Sequence, residues 1–507
     1  MSRSIAQVHQ GTDSAPKSAP RTVRFNRTRA LLAPIILLEG YLACTVLMFF
    51  FGPVDWDIPN VPKLVAFLVV NYGGLWLGYR WGIKRGSVAL SRLQAAEVGV
   101  IRVPRILLIL IVFSMVFAIS GILLRVTAIR GGLTEALSTL LNPGQAYLEA
   151  QVLADVTREG GKVAELAAYS WAFRITTVLS VFNSLYLPLV LICWRQIGIV
   201  NRILFVLALL CTLGVSFGIG TQSGIGFSLF ACLPVLLYKI YVAEKPLTVT
   251  PLSKSGRKLK PLLTKIAIAV LIAGFVGMVA FFQVDRREVE TRELDPTQAL
   301  VGDFGVASTR GLVPITGTRA NYGLVMACLY MSHGYEGLAL SMELPFEWSY
   351  GIGWSKALQS ILHDYLGGPD LFESSYMARN EAKNGWSALR WWSTIFPWLA
   401  SDTTFYGTVL FMVLIGFVIG RCWVNIILTG NPMGFAVLAQ MFILVFMFPA
   451  NNALAQTLDA FFGLIGVSAL YMLSWRFFTP VAGMHGRRLS QFPKRPGTWV
   501  ADHVLEP

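Results

Sequence analysis

Long runs of apolar residues recur along the whole chain, and they restrict its fold more than any other feature. A run of 18 or more apolar residues can cross the hydrocarbon core of a bilayer as an α-helix. With 55% hydrophobic and only 14% charged residues, a soluble fold of 507 residues would leave much of this apolar surface in water. The sequence therefore predicts an all-α, polytopic membrane protein.

We predict ten spans from these runs, and twelve if a further pair lies in the long polar stretch before the eighth. The predicted spans are Ala30–Phe51, Val61–Gly78, Ile106–Val126, Thr176–Cys193, Ile203–Gly218, Gly224–Tyr241, Ile266–Phe282, Thr404–Ile419, Gly434–Phe448 and Ala453–Ser474. Residues 1–29 are basic and rich in Ser and Pro, which is typical of a disordered tail. Residues 478–507 form a second polar tail.

The net charge of +14 indicates membrane orientation rather than nucleic-acid binding. Lys and Arg are concentrated in the loops 80–105 and 242–265, whereas the alternate loops are richer in Asp and Glu. Loops rich in Lys and Arg stay in the cytoplasm. The pattern predicts that both termini are cytoplasmic and that the long loops 127–171 and 283–403 lie on the outer side.

The outer loop 283–403 is the expected catalytic region, because polar and aromatic residues gather there. Within it, Gly323–Met342 is apolar enough to predict a re-entrant or interfacial helix. This stretch contains His333, whose neutral imidazole could accept a proton from a sugar hydroxyl. Glu336 follows three residues later on the same helical face and is the next candidate for the base. The alternative is a histidine that hydrogen-bonds a helix end.

Arginines of the outer loop are the candidates for binding a phosphate, because guanidinium groups bind phosphate bidentately and keep their charge. Arg310 and Arg319 have no acidic residue within six positions, so we place the anion there, with Arg286 and Arg287 assisting. Arg292 lies among glutamates and is expected on a solvated helix face. The remaining outer arginines are Arg379 and Arg390.

Aromatic residues are dense in the same loop. Tyr335, Trp348 and Tyr350 are predicted to stack on sugar rings, although aromatic residues also anchor proteins at membrane interfaces. The pattern fits a glycan-binding groove.

Charged residues inside spans usually pair or line a cavity. Glu39 and Asp459 lie within predicted spans, and Arg174 lies just before one, so an ion pair of Arg174 with an acid is the favoured interpretation. Asp55-Trp56-Asp57, in the first outer loop, is a weak metal-binding signal because hard-metal sites need further oxygen ligands.

No cofactor or metal site is predicted. The six cysteines lie in or beside apolar segments without metal-ligand spacing, and they indicate neither a zinc site nor a disulfide framework. The sequence contains no Walker loop and no metallohydrolase or serine-hydrolase motif.

At Ser332–Leu340 and Tyr350–Gly353 the chain resembles the bacterial Wzy-type polymerases of oligosaccharide repeat units, which make O-antigen and related polysaccharides. The likeness extends to the layout of spans and outer loop between Ile266 and about Gly420. It implies a glycosyltransferase of the GT-C type in the bacterial inner membrane, working at the periplasmic face. The implied substrates are glycans on undecaprenyl diphosphate: an acceptor hydroxyl attacks the donor's anomeric carbon, undecaprenyl diphosphate leaves, and no metal is needed.

The resemblance also implies partners, namely the bilayer and the flippase and chain-length regulator of the same pathway. One alternative is an O-antigen ligase that transfers the glycan to lipid A core. A second alternative is a polysaccharide flippase or other transporter, although transporters usually show internal repeats and polar groups at mid-membrane. A scaffold of an export complex is a third.

Overall fold

All regular secondary structure in the described residues is helical. The structure is a computed structural model that describes residues 27–92, 101, 103–130, 170–218, 223–242, 325, 328–388, 391 and 393–476. Its first helices are α1 (Arg27–Phe51), α2 (Val61–Arg92), α3 (Arg105–Arg130), α4 (Ser170–Val178), α5 (Val181–Cys193), α6 (Ile199–Gly218) and α7 (Ser223–Tyr241). The later helices are α8 (Gly334–Ser341), α9 (Lys356–Ser360), the π-helical turn Ile361–Tyr365, α10 (Tyr376–Asn384), α11 (Phe396–Thr429), α12 (Met433–Phe446), α13 (Ala453–Gln456) and α14 (Leu458–Ser474).

Four helices are long and apolar enough to cross a membrane, which confirms the predicted class of α-helical membrane protein. They are Thr28–Phe51, Val61–Lys84, Gly224–Tyr241 and Phe396–Thr429. Shorter apolar helices accompany them at Arg105–Gly121, Val181–Cys193, Ile199–Gly214, Met433–Phe446 and Leu458–Ser474. The predicted span Ile266–Phe282, both tails and most of the loop 127–171 lie outside the described residues.

Two predicted spans are each divided by a short break. Between α4 and α5 the helix is interrupted at Ser180, whose hydroxyl donates to the backbone oxygen of Asp459 at 2.6 Å. Between α13 and α14 the chain leaves the helical region at Thr457 (φ −118°, ψ 150°), and the Thr457 hydroxyl accepts from the backbone N–H of Ala460. Continuous hydropathy conceals such breaks because the interrupting residues are small or uncharged.

Helix α11 begins eight residues before the predicted span, inside the predicted outer loop. Its backbone leaves the helical region at Thr404 (φ 62°, ψ 167°), the residue at which the span was predicted to begin. The stretch Phe396–Thr403 is therefore a helical extension that precedes a kink, rather than loop.

Helices α2 and α11 pack backbone against backbone over several turns. A Cβ atom on Gly78 would overlap the carbonyl oxygen of Val413, and one on Gly82 would lie 2.5 Å from the carbonyl oxygen of Phe417. From the other side, a Cβ atom on Gly416 would overlap the backbone of α2. Glycines spaced four residues apart let membrane helices approach this closely.

The other apolar helices surround this pair. Trp423 of α11 donates from Nε1 to the carbonyl oxygen of Ala30 at 2.9 Å, which attaches the first turn of α1. Every residue of α12 is buried, so α12 forms the centre of the bundle. Helices α7 and α14 pack against α12, α5 packs against α14, and α3 packs against α5 and α6.

The described residues between 328 and 395, which we call the interhelical segment, lie at one end of the bundle. The Lys63 ammonium, in the first turn of α2, forms an ion pair with Glu343 (2.9 Å) and donates to the backbone oxygen of Met342 (2.7 Å). The backbone N–H of Thr394 donates to the carbonyl oxygen of Ala450 at 3.0 Å. The loop 52–60 and the interhelical segment therefore share one end of the bundle.

We expect Gly78→Ala to destabilise the protein, because the added methyl group overlaps the backbone of α11. Overpacking of this kind costs about 1–3 kcal/mol. Gly73→Ala is the matched control on the same helix: a Cβ atom there meets no described atom within 4 Å, and alanine favours a helix. Thermal unfolding in detergent measures both; equal melting temperatures for Gly78→Ala and Gly73→Ala would contradict the close contact.

Candidate functional site

Two glycines fix how α8 lies against the rest of the molecule. A Cβ atom on Gly334 would overlap the carbonyl oxygen of Pro449, and one on Gly337 would lie 2.5 Å from Ser393 Oγ and from Trp386 Nε1. The glycine face of α8 is thus flush with its neighbours, and Asn380 of α10 donates to the carbonyl oxygen of Gly337 at 3.2 Å. The residues between the glycines are set in fixed directions, which the sequence motif alone does not reveal.

Tyr335 points into the bundle and is completely buried. Its hydroxyl is hydrogen-bonded to Thr45 Oγ1 (2.8 Å) and to the Tyr72 hydroxyl (2.9 Å), and its ring lies 5.4 Å from that of Phe49. Burial raises the pKa of Tyr335 to about 12. This placement does not fit the predicted glycan contact, because no face of the ring is open; Tyr335 attaches α8 to α1 and α2.

His333 is also buried, with 4% of its surface exposed. Its Nδ1 lies 2.9 Å from the carbonyl oxygen of Leu329, so Nδ1 carries the proton and Nε2 is the basic nitrogen. Burial disfavours the charged ring and lowers the pKa of His333 to about 4. The imidazole is neutral, as the sequence predicts for a base. Its ring packs beside those of Tyr330 and Trp386, and this buried placement fits the alternative prediction, a histidine that hydrogen-bonds a helix end.

Glu336 is the half-buried carboxyl of the site. Its Oε2 is buried and has no hydrogen-bond partner among the described residues. Burial, and secondarily the negative charge of Asp57, raises the pKa of Glu336 to about 8. A carboxyl group with a pKa near neutrality exchanges protons readily at the pH of a cell.

Asp57 reaches this carboxyl through aromatic packing of the loop 52–60. The Phe49 ring stacks on Trp56 at 5.6 Å and also packs against Tyr335. Asp57 follows Trp56 and Glu336 follows Tyr335 in the chain, so this packing brings the two acidic residues near each other. Asp55 and Asp57 are exposed while Trp56 is buried. In the described part of the chain, no group of three or more His, Cys, Asp or Glu side chains is arranged to hold a metal ion.

A second feature of the site is the aromatic loop, residues 345–354. Its Trp348 and Tyr350 side chains are 56% and 65% exposed, and their rings lie 5.1 Å apart. The Asp402 carboxylate of α11 accepts hydrogen bonds from the backbone N–H groups of Gly351 (2.8 Å) and Trp354 (2.9 Å). The loop that carries the predicted glycan-binding residues is therefore fixed to a spanning helix.

Arg379 of α10 fixes the other end of the aromatic loop. It donates from Nη1 to the carbonyl oxygen of Pro345 (2.8 Å) and to Glu347 (3.1 Å), and from Nε to the carbonyl oxygen of Ser374 (3.2 Å). Its guanidinium also lies over the Tyr376 ring, 4.7 Å from the ring centroid. Nη1 and Nε of Arg379 are thus bound by protein oxygens, whereas its buried Nη2 has no hydrogen-bond partner among the described residues.

Sequence reasoning missed the roles of Asp402, Arg379 and Asp57. Asp402 stood just before a predicted span, where a polar residue attracts no notice. Arg379 was indistinguishable from the other outer arginines, and Asp57 was considered only as a metal ligand. Each acts on a residue distant in the sequence, and only contacts in the folded chain reveal such roles.

The remaining predicted site residues have different outcomes. The anion-binding candidates all lie outside the described residues: Arg286, Arg287, Arg310 and Arg319. Glu39 Oε1 is buried without a hydrogen-bond partner in the described part of the chain. Arg174 lies over the Tyr365 ring, so its described contact is aromatic rather than the ion pair favoured from the sequence.

Comparison with protein-family models, with curated proteins and with solved structures finds no match. The functional interpretation consequently depends on the residues themselves.

We expect Tyr335→Phe to lower the melting temperature, because it removes the hydroxyl that links α8 to α1 and α2. A buried hydrogen bond contributes about 0.5–1.5 kcal/mol to the free energy of unfolding, and a buried partner left without a hydrogen bond increases the destabilisation. Tyr350→Phe removes the same hydroxyl from an exposed ring and serves as the control. Equal stability of the two variants would show that the Tyr335 hydroxyl does not anchor α8.

Proposed function

We propose that the protein is a lipid-diphosphate-dependent glycosyltransferase that joins oligosaccharide repeat units carried on undecaprenyl diphosphate into O-antigen or exopolysaccharide. The observation that carries the proposal is the Glu336 carboxyl at one end of a membrane bundle. It is half-buried, has a pKa of about 8, and has one oxygen without a hydrogen-bond partner among the described residues. Such a group is suited to accept a proton from an acceptor sugar hydroxyl. The resemblance noted in the sequence supplies the substrate class.

In the proposed reaction, the acceptor hydroxyl transfers its proton to the Glu336 carboxylate while its oxygen attacks the anomeric carbon of the donor. The bond between that carbon and the diphosphate oxygen breaks, and undecaprenyl diphosphate leaves with the electron pair. Its charge requires neutralisation. Arg310 and Arg319, assisted by Arg286 and Arg287, are proposed for this task.

His333 has a different part in this proposal from the one expected at the outset. Its ring is buried and its Nδ1–H donates to the carbonyl oxygen of Leu329, so it holds the turn before α8 in place. Glu336, the second candidate for the base, has a carboxyl oxygen without a hydrogen-bond partner among the described residues. We therefore propose Glu336 as the catalytic base and His333 as a positioning residue.

The proposal includes a location. The interhelical segment and the loop 52–60 would face the periplasm from the bacterial inner membrane, with both termini in the cytoplasm. Positively charged loops at the opposite ends of the spans support this orientation. Substrates attached to a polyprenyl chain would reach the site from the bilayer.

The first test is Glu336→Gln, which keeps the shape of the side chain and removes the base. We expect turnover to fall by about 10²–10⁴-fold, the usual effect of a positioned base, with donor binding retained. The assay is polymerisation of synthetic lipid-linked repeat units by the purified protein. Glu343→Gln is the control, because that surface ion pair with Lys63 contributes little.

Two results would contradict the proposal. One is wild-type turnover by Glu336→Gln. The other is a deletion strain whose lipopolysaccharide still carries polymer. We expect this strain to make core capped with single repeat units. Uncapped core together with lipid-linked polymer would identify a ligase.

The second test is the pH dependence of kcat/KM. Glu336 acts as a base only when deprotonated, so the rate should rise with pH through about 8. Asp57→Asn removes a negative charge that favours protonated Glu336, and it should move the rising limb to lower pH. Asp55→Asn should leave the pH of the rising limb unchanged. Excess chelator should leave kcat/KM of the wild type and of both variants unchanged. If the rising limb of Asp57→Asn lies at the wild-type pH, Asp57 does not affect the titration of Glu336.

A further inference from the structure

Alternate side chains of the aromatic loop have opposite surroundings. Glu347 binds Arg379, and Ser349 is buried, with its backbone N–H donating to the carbonyl oxygen of Ser401 at 3.1 Å. Phe346, Trp348 and Tyr350 are instead exposed, at 44%, 56% and 65%. Both polar side chains thus bind protein groups, although Glu347 is itself exposed, whereas the three aromatic rings face outward.

The outward position of Tyr350 is maintained against a conformational preference. Its φ is 54°, a left-handed value that is uncommon for a bulky side chain, and Gly351 follows at 84°. The hydrogen bonds from Gly351 and Trp354 to the Asp402 carboxylate hold this turn. Gly353 permits it, because a Cβ atom there would lie 2.5 Å from that of Ser349. Strained, well-supported residues of this kind are found at ligand-binding sites.

The backbone of the loop indicates that it lies in water rather than in hydrocarbon. The N–H groups of Phe346, Glu347 and Trp348 donate to no acceptor in the described residues, and all three residues are exposed. Exposed backbone groups without partners do not enter the lipid core. The same groups, with the half-exposed Glu347 carboxylate, offer donors and acceptors to hydroxyl groups beside the aromatic faces. Apolar faces flanked by hydrogen-bonding groups match a sugar, which has apolar C–H faces and a polar rim.

We propose that Phe346, Trp348 and Tyr350 form a carbohydrate rail, in which successive sugars of the glycan chain stack on successive rings, and that Arg379 and Asp402 are its positioning residues. The Trp348 and Tyr350 rings are neighbours, with centroids 5.1 Å apart, so the rail offers adjacent subsites to linked sugars. The inference rests on the proposed function and adds to it that the protein holds the glycan at several units, apart from the carboxyl that takes the proton.

The test measures binding of lipid-free fragments of the source strain's surface polysaccharide, fractionated by length, to the full chain in nanodiscs. We expect affinity to rise with fragment length and then level off once the three rings are covered. Trp348→Ala should weaken binding of long fragments by roughly 3–10-fold, in line with the energy of one aromatic contact. Tyr365→Ala, an exposed aromatic residue of the same segment outside the rail, should bind as wild type.

The positioning residues are tested by the length dependence itself. Asp402→Asn should lose the gain from longer fragments while binding the shortest fragment as wild type, and Asp402→Glu should restore part of the gain. Hydrogen exchange at Gly351 and Trp354 should accelerate in Asp402→Asn. A merely destabilised protein would instead weaken binding of all fragments alike, and its melting temperature would fall.

Two outcomes would overturn the rail: affinity independent of fragment length, or unchanged binding by Trp348→Ala. A third would identify a membrane anchor: a fluorophore on Trp348→Cys, in a background without other cysteines, quenched by nitroxide lipids. Failure of the proposed function has a different signature. Length-dependent binding without polymerisation leaves the rail intact, whereas polymerisation without fragment binding removes the rail alone.

Discussion

The backbone contact between α2 and α11 is the constraint on which the rest of the structure depends. Glycines spaced four residues apart on both helices bring the two backbones together, and a single methyl group at Gly78 would separate them. The contact also sets the relative height of the helix ends. The first turns of α2 carry Lys63 and the start of α11 carries Asp402, and these residues hold the interhelical segment at its two sides. Helix packing thus decides the position of the candidate site at the end of the bundle.

Within the site, one short helix separates two tasks. The two glycines of α8 lie against Pro449 and Ser393, so Tyr335 enters the bundle while Glu336 remains at its end. Adjacent residues consequently have different surroundings. The Tyr335 hydroxyl is hydrogen-bonded to Thr45 and to the Tyr72 hydroxyl, whereas one oxygen of Glu336 is buried without a hydrogen-bond partner in the described part of the chain. Unsatisfied burial raises the pKa of a carboxyl, and the nearby Asp57 raises it further. The anchoring of α8 by Tyr335 and the raised pKa of Glu336 arise from the same placement.

The aromatic loop is also held in place by residues that are distant in the sequence. Arg379 and Asp402 bind its backbone and Glu347, and three aromatic rings belong to the surface that stays exposed. A loop held at both ends loses little conformational entropy when a ligand binds. Fixed rings favour a ligand with repeated units, and the carboxyl of Glu336 favours one that gives up a proton. Both properties belong to a growing glycan, which is why the proposed function joins them.

The sequence by itself determined the membrane class, since apolar runs of sufficient length have few alternatives to a bundle of helices. It also directed attention to Ser332–Leu338 and Tyr350–Gly353, which the structure places at the same end of the bundle. Only the tertiary structure decided what each residue does there. Periodicity placed Glu336 on one helical face with His333. Burial, which depends on partners distant in the chain, distinguishes the neutral buried histidine from the carboxyl whose pKa is raised. The breaks at Ser180 and Thr457, the proximity of Asp57 to Glu336 and the hydrogen bonds of Asp402 likewise depend on packing between distant segments, which hydropathy and spacing along the chain do not contain.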